Sequence, residues 1–176
     1  MRRLQKESMV QQRCEECGYA YNLAAANEAG DEIRSGAAEL AQLLTATGQT
    51  TLAQRTAPEL WSPLEYACHV RDMLLAQRER VLLARRVDVP ESVPMGRDER
   101  VAHEGYAEQD PAEVAEEVTM AARLLANALG RLDAADWELR LVYNWPERTE
   151  RTLRWVAAHT LHEVRHHLLD MRRQLG

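Results

Sequence analysis

The chain has 176 residues, of which 45% are hydrophobic and 28% charged, and its net charge is −6. That length and mix suit one folded domain and exclude a disordered chain. The acidic surplus argues against a protein that grips nucleic acid with its whole surface, and no apolar run approaches the roughly 18–20 residues that a bilayer crossing needs.

The chain opens on "MRRLQKESMVQQR". This stretch is charged and has no apolar segment behind it, which is not the pattern of a secretory signal. A cytosolic (cytoplasmic) protein is expected, without a membrane or nucleic-acid partner. Residues 1–13 read as a frayed arm. "CEECGY" then places Cys14 and Cys17 three apart, and the third cysteine is Cys68. An odd count in a reducing compartment is no disulfide framework. Cys14-x-x-Cys17 is half of a zinc site or a redox pair, and no second such pair follows. Cys68 reads as a small packed hydrophobe. The chain thus divides into an N-terminal arm, 1–23, and a helical domain, 24–176.

Ile33, Ala37, Leu40 and Leu44 recur at helical spacing, so a first amphipathic helix is expected over 24–47, closed by Gly48. "WSPLEYACHVRDM" carries a strong start signal: Ser62 to cap, Pro63 at the first helical position and Glu65 to complete a capping box. A second helix follows over 63–86. Residues 87–109 hold Pro90, Pro94, Gly96 and Gly105 and read as a long loop, with His103 solvated on it. Asp110, Pro111 and Glu113 repeat the start logic for a third helix, whose stripe runs from Val114 to Leu132. Residues 133–151 read as an irregular connection, with Trp137 and Trp145 as core packing or as walls of a cavity. A last helix runs from Thr152 to about Gln174. No strand is expected. The fold class is all-α, a four-helix bundle with long connections.

The last helix holds "HTLHEVRHHLLDM", with His159, His162, Glu163, His166, His167 and Asp170 in thirteen positions. Unrolled at about 100° per residue, its apolar stripe centres on Val164. His167 lies roughly 60° from that centre and Glu163 roughly 100° on the same flank, while His162, His166 and nearly His159 point to the back. Glu163 and His167, one turn apart, can share a ligand at the edge of the core. His69, inside the second helix, is the natural third ligand. Two imidazoles and a carboxylate leave coordination positions open, as in catalytic zinc sites, and Asp170 can orient an imidazole. The back face, with Trp155 and Leu169 beside His162 and His166, either contacts a second subunit in a homodimer or covers the N-terminal segment.

"WSPLEYACHVRDM" followed by "HEVRHHLLDM" resembles the DinB/YfiT-like superfamily, over roughly residues 30–175. That superfamily also contains mycothiol-dependent maleylpyruvate isomerases and bacterial thiol S-transferases. The resemblance implies a four-helix bundle of DinB/YfiT-like type with a divalent metal between helices. Members place either His-x-x-x-His or Glu-x-x-x-His in the last helix. This chain permits both: His162 with His166, or Glu163 with His167. The isomerase-like pattern has Asp three places after its histidine, which fits His167 and Asp170. The expected set is therefore His69, Glu163 and His167, with His162 and His166 as the alternative register. The expected activity is that of a metal-dependent transferase or isomerase using a low-molecular-weight thiol, of mycothiol or bacillithiol type, on a small electrophile. Zinc is the first choice of metal; nickel and iron also suit these ligands. Arg71 or Arg165 would hold anionic groups, with substrate between the 87–109 and 133–151 connections. A metal-dependent hydrolase is the chemical neighbour, and a non-catalytic metal- or thiol-responsive binding protein is the alternative. Three ligands beside a pocket favour an enzyme; a closed four-ligand site favours a sensor or a structural role.

Overall fold

Three of the helices begin where a side chain satisfies their first amides. The computed structural model describes residues 13–145 and 147–176. The expected frayed arm therefore lies, apart from Arg13, outside the described residues, as does Pro146. Helix α1 spans Ala29–Ala46 and α2 Gln49–Ala53. Helix α3 spans Pro63–Ala84, α4 Arg97–His103, α5 Pro111–Leu129 and α6 Leu153–Leu175. At α3 the capping box is complete: Ser62 Oγ accepts from Glu65 N at 3.2 Å, and Ser62 N donates to Glu65 Oε2 at 2.7 Å. Asp110 accepts from Ala112 N and Glu113 N at the start of α5, and Thr152 from Trp155 N at the start of α6. Each such cap contributes about 1 kcal/mol.

Helices α1, α3, α5 and α6 form the bundle, with α1 and α3 against both α5 and α6. Ile33 and Leu40 from α1, Leu74 from α3, Val118 from α5 and Val164 from α6 are fully buried between them. Gly36 sets the closeness of α1 to α6. A Cβ there would stand 2.7 Å from Val164 Cγ1. Val164 is β-branched and nearly fixed at χ1 in a helix, so it cannot swing aside. Alanine's helix propensity would favour Gly36→Ala by about 0.5–1 kcal/mol, but overpacking costs about 1–3 kcal/mol. The clash wins, and Gly36→Ala is expected to lower the thermal midpoint by a few degrees, read by circular dichroism.

Four expectations change. The first helix is entered through a 3-10 turn, Leu23–Glu28, and α1 proper starts at Ala29. Gly48 does not close α1; it is extended and precedes the short α2. The 87–109 stretch is not all loop, because it contains α4 and a 3-10 turn at Tyr106–Glu108. The 133–151 connection is ordered too. Strand β1, Arg140–Tyr143, pairs antiparallel with β2, Thr149–Thr152, with Tyr143 opposite Thr149. Leu141 and Tyr143 point inward and are buried. Four-residue strands are too short for an alternation to declare itself. Among the described residues, no helix is long and apolar enough to cross a membrane.

Candidate metal centre

Helix α3 supplies His69, two turns inside its capped end, and α6 supplies Glu163 and His167, one turn apart. One ligand atom from each lies within 4.8 Å of the others. His69 is 5% exposed, under the Trp61 ring at 5.0 Å and edge-on to the His167 ring at 4.9 Å. Its Nδ1 is buried and has no hydrogen-bond partner among the described residues. His167 Nε2 lies 3.7 Å from Glu163 Oε2, and its Nδ1 faces Asp170 Oδ2 at 3.2 Å. Tyr66 stacks on that imidazole. Asp170 thus stands where the spacing predicts an orienting carboxylate.

The charge pattern suits a cation. Burial, then the nearby His167, pushes His69 down to about 3, so its imidazole is neutral at physiological pH. Burial alone would raise Glu163, but hydrogen bonds with His162 and His167 and the surrounding imidazoles hold it well below the usual carboxylate range. Burial likewise opposes the charged form of His167; Asp170 and Glu163 outweigh it and raise His167 above its ordinary value. Neutral imidazole and ionised carboxylate are the forms that coordinate a metal, so His69 and Glu163 are ready to bind one, while His167, whose proton the two carboxylates favour, would release it to an incoming ion. The residues fit a divalent ion.

Two of the three, His69 and Glu163, border a cavity of about 370 Å³. His69, Glu163 and His159 form its polar floor, and Met73, Met95 and Trp145 are among its apolar walls. Two guanidinium groups face it. Arg80 is fixed by Tyr143 Oη at 3.0 Å and the Val93 carbonyl at 2.9 Å, while Arg97 lies over the Trp145 ring at 5.1 Å. The two long connections supply residues 94–99 and 143–145 to the walls. His167 and Asp170 open instead on a second hollow, which Arg97 also lines.

Other expectations are corrected. Arg71 does not reach the cavity: it is buried and tied to Asp72, Gln109 and Glu117. Arg165 pairs with Glu32 on the surface. Trp145 is 58% exposed at the cavity, whereas Trp137 is core. His159 is not at a free back face. It is 6% exposed, stacked on Trp155 at 4.5 Å, with Tyr21 Oη 2.7 Å from its Nδ1. The N-terminal segment and the hairpin cover that side of α6, the second of the two roles expected for its back face. Cys68 is a packed thiol, as expected, and burial pushes it up to about 12. His103 is exposed on α4.

Sequence reasoning misses His159, Arg80, Arg97 and Tyr143 as cavity residues. The hairpin aims Tyr143 at Arg80 and His159, and α4 brings Arg97 to the same cavity; both elements are too short to give a sequence signal. His162 and His166 do not join His69. They turn to the N-terminal segment, where a ligand atom from each, and the sulfurs of Cys14 and Cys17, lie within 4.8 Å of one another.

The sequence profile of the family described as the DinB superfamily matches residues 32–171. No curated protein matches the chain. In structure the chain is similar to YfiT from Bacillus subtilis, described as a probable metal-dependent hydrolase with an unusual four-helix bundle topology. The TM-score is 0.76 and the identity 13%, and 85% of each chain is covered. At that identity the likeness speaks for the fold alone.

Proposed function

The chain belongs to the DinB superfamily, and from that premise we propose a metal-dependent enzyme whose divalent ion is held by His69, Glu163 and His167. It uses a low-molecular-weight thiol, of mycothiol or bacillithiol type, to transfer to or isomerise a small anionic electrophile. The observation that carries this reading is the convergence of three donors, from two helices, beside a cavity large enough for small molecules. A divalent ion there supplies Lewis acidity and lowers the pKa of a thiol or water that it holds.

The chain's own side chains do the rest. Arg80 and Arg97 present positive charge to a carboxylate on the substrate or the thiol. Met73, Met95 and Trp145 exclude water from its apolar part. His159 stands at the floor with Nε2 4.0 Å from Glu163 Oε1. Its Nδ1 is held by Tyr21, and burial pushes it down to about 4. It is therefore neutral at physiological pH and can take a proton, though only from a group already acidified. Asp170 fixes the His167 ring.

Hydrolysis, with water in place of the thiol, is the second reading, favoured by the description of YfiT. Three protein donors leave coordination positions open, which favours an enzyme over a purely regulatory site. The test compares wild type with His69→Ala for bound metal and for conjugation of mycothiol or bacillithiol to a model electrophile. The variant is expected to lose the metal of this site and the metal-dependent activity. Unchanged metal content would overturn the ligand assignment. Hydrolysis of a model ester or amide without thiol conjugation would favour the second reading.

A further inference from the structure

Helix α6 carries a second row of donors, one residue out of step with the first. We infer that Cys14, Cys17, His162 and His166 form a separate, closed zinc site that fastens the N-terminal segment to α6. Four observations support it independently of the proposed activity.

The spacing is the first. Cys-x-x-Cys in one segment and His-x-x-x-His on one helix face are the two halves of a Cys2His2 set. Neither half is informative alone, and the fold brings the start of the chain against its last helix.

The second observation is that meeting. All four donor atoms lie within 4.8 Å of one another, and Cys14 Sγ is 3.7 Å from His166 Nδ1. Bonds of about 2.3 Å to sulfur and 2.0–2.1 Å to nitrogen, in a tetrahedron, put such a pair roughly 3.6 Å apart.

The third is the use of the imidazole nitrogens. His162 Nδ1 faces Tyr21 Oη at 3.1 Å and Glu163 Oε1 at 3.2 Å, while its Nε2 is buried without a hydrogen-bond partner among the described residues. His166 Nε2 faces Glu16 at 3.3 Å and Asp170 at 3.5 Å, which leaves Nδ1 toward the cysteines. Each ring has one nitrogen engaged with oxygen partners and the other free for a metal. That is the pattern of metal-bound histidine, whose second nitrogen donates to a carboxylate.

The fourth is the turn itself. Cys14 N donates to the Tyr19 carbonyl and Gly18 N to the Cys14 carbonyl, closing a tight loop around the two cysteines. Gly18 has φ +74°, a left-handed conformation that glycine adopts without strain. Two thiolates balance the charge of one Zn²⁺, and four protein donors leave no position for substrate, so the site is structural.

The test loads the purified full chain with Co²⁺ in a His69→Ala/His167→Ala background, which disables the three-donor set. One equivalent of tetrahedral cobalt with a thiolate-to-metal charge-transfer band is expected. That band should vanish in Cys14→Ser/Cys17→Ser, and Zn²⁺ should displace the cobalt. His166→Cys, which makes a Cys3His set, should keep one equivalent and strengthen the band, guarding against mere misfolding. Absence of the band in the His69→Ala/His167→Ala protein, or its persistence without both cysteines, would overturn the site. Neither result bears on metal at His69, Glu163 and His167, which the single His69→Ala variant tests.

Discussion

Asp72→Ala is expected to destabilise the fold by about 3–5 kcal/mol, because it removes one partner of a buried ion pair and leaves the other behind. Asp72 and Arg71 have side chains 7% and 10% exposed. Asp72 Oδ1 accepts from Arg71 Nε at 2.8 Å, and Oδ2 accepts from Tyr106 Oη at 2.5 Å and from Arg100 Nη1 at 3.1 Å. Alanine would strand the Tyr106 hydroxyl and part of the Arg71 charge. Glu117, 2.6 Å from Arg71 Nη1, remains and keeps the cost toward the lower figure. At roughly 2–4 °C per kcal/mol for a chain of this size, the midpoint should fall by about 10 °C, measured by calorimetry. The effect also has a pH signature. Burial alone would raise the Asp72 carboxyl, but hydrogen bonds from Arg71 and Tyr106 and the charges of Arg71 and Arg100 hold it below the usual value. A depressed folded-state pKa gives stability that is full above the unfolded value, about 4, and is lost as pH falls through the lower folded-state value. The gap between wild type and Asp72→Ala should therefore narrow below about pH 4. Because Arg100 belongs to α4, whose first turn borders the cavity, the same network fixes a cavity wall.

The parts of this fold that are legible in sequence are those whose signal is local. Ser62, Pro63 and Glu65 announce α3 through cap chemistry that needs no tertiary partner, and Asp110–Pro111 does the same for α5. The hairpin and α4 are not legible. Each is too short for a period to emerge, and their order comes from Tyr143 reaching Gln77 and Arg80, and from Arg100 reaching Asp72. Unrolling α6 separates its histidines by direction, but direction does not say what covers a face. Nothing in its own helix shows that Tyr21 and the hairpin will enclose His159. The two registers of the last helix read as alternatives in sequence. Adjacent residues on a helix point about 100° apart, so one helix can serve two neighbours, and here Glu163 and His167 face α3 while His162 and His166 face the N-terminal segment.

That arrangement makes Glu163→Gln the most informative single change. Glutamine keeps the shape and an oxygen for the His162 Nδ1 proton, yet it removes the negative charge and the stronger donor that stands beside His69 and His167. Taking away only a partner of a metal ligand costs roughly 10–100-fold in affinity, so replacing the proposed ligand itself should cost at least that. Metal binding at the three-donor set, followed by competition with a chelating dye, should weaken by about 100-fold or more, and the metal-dependent activity should fall with it. Zinc held by Cys14, Cys17, His162 and His166 should stay, because the glutamine oxygen can still accept from His162. A loss of both metals in Glu163→Gln would mean that the Glu163 charge, rather than its geometry, holds the His162 ring in place, and the two rows of α6 would then act as one coupled centre.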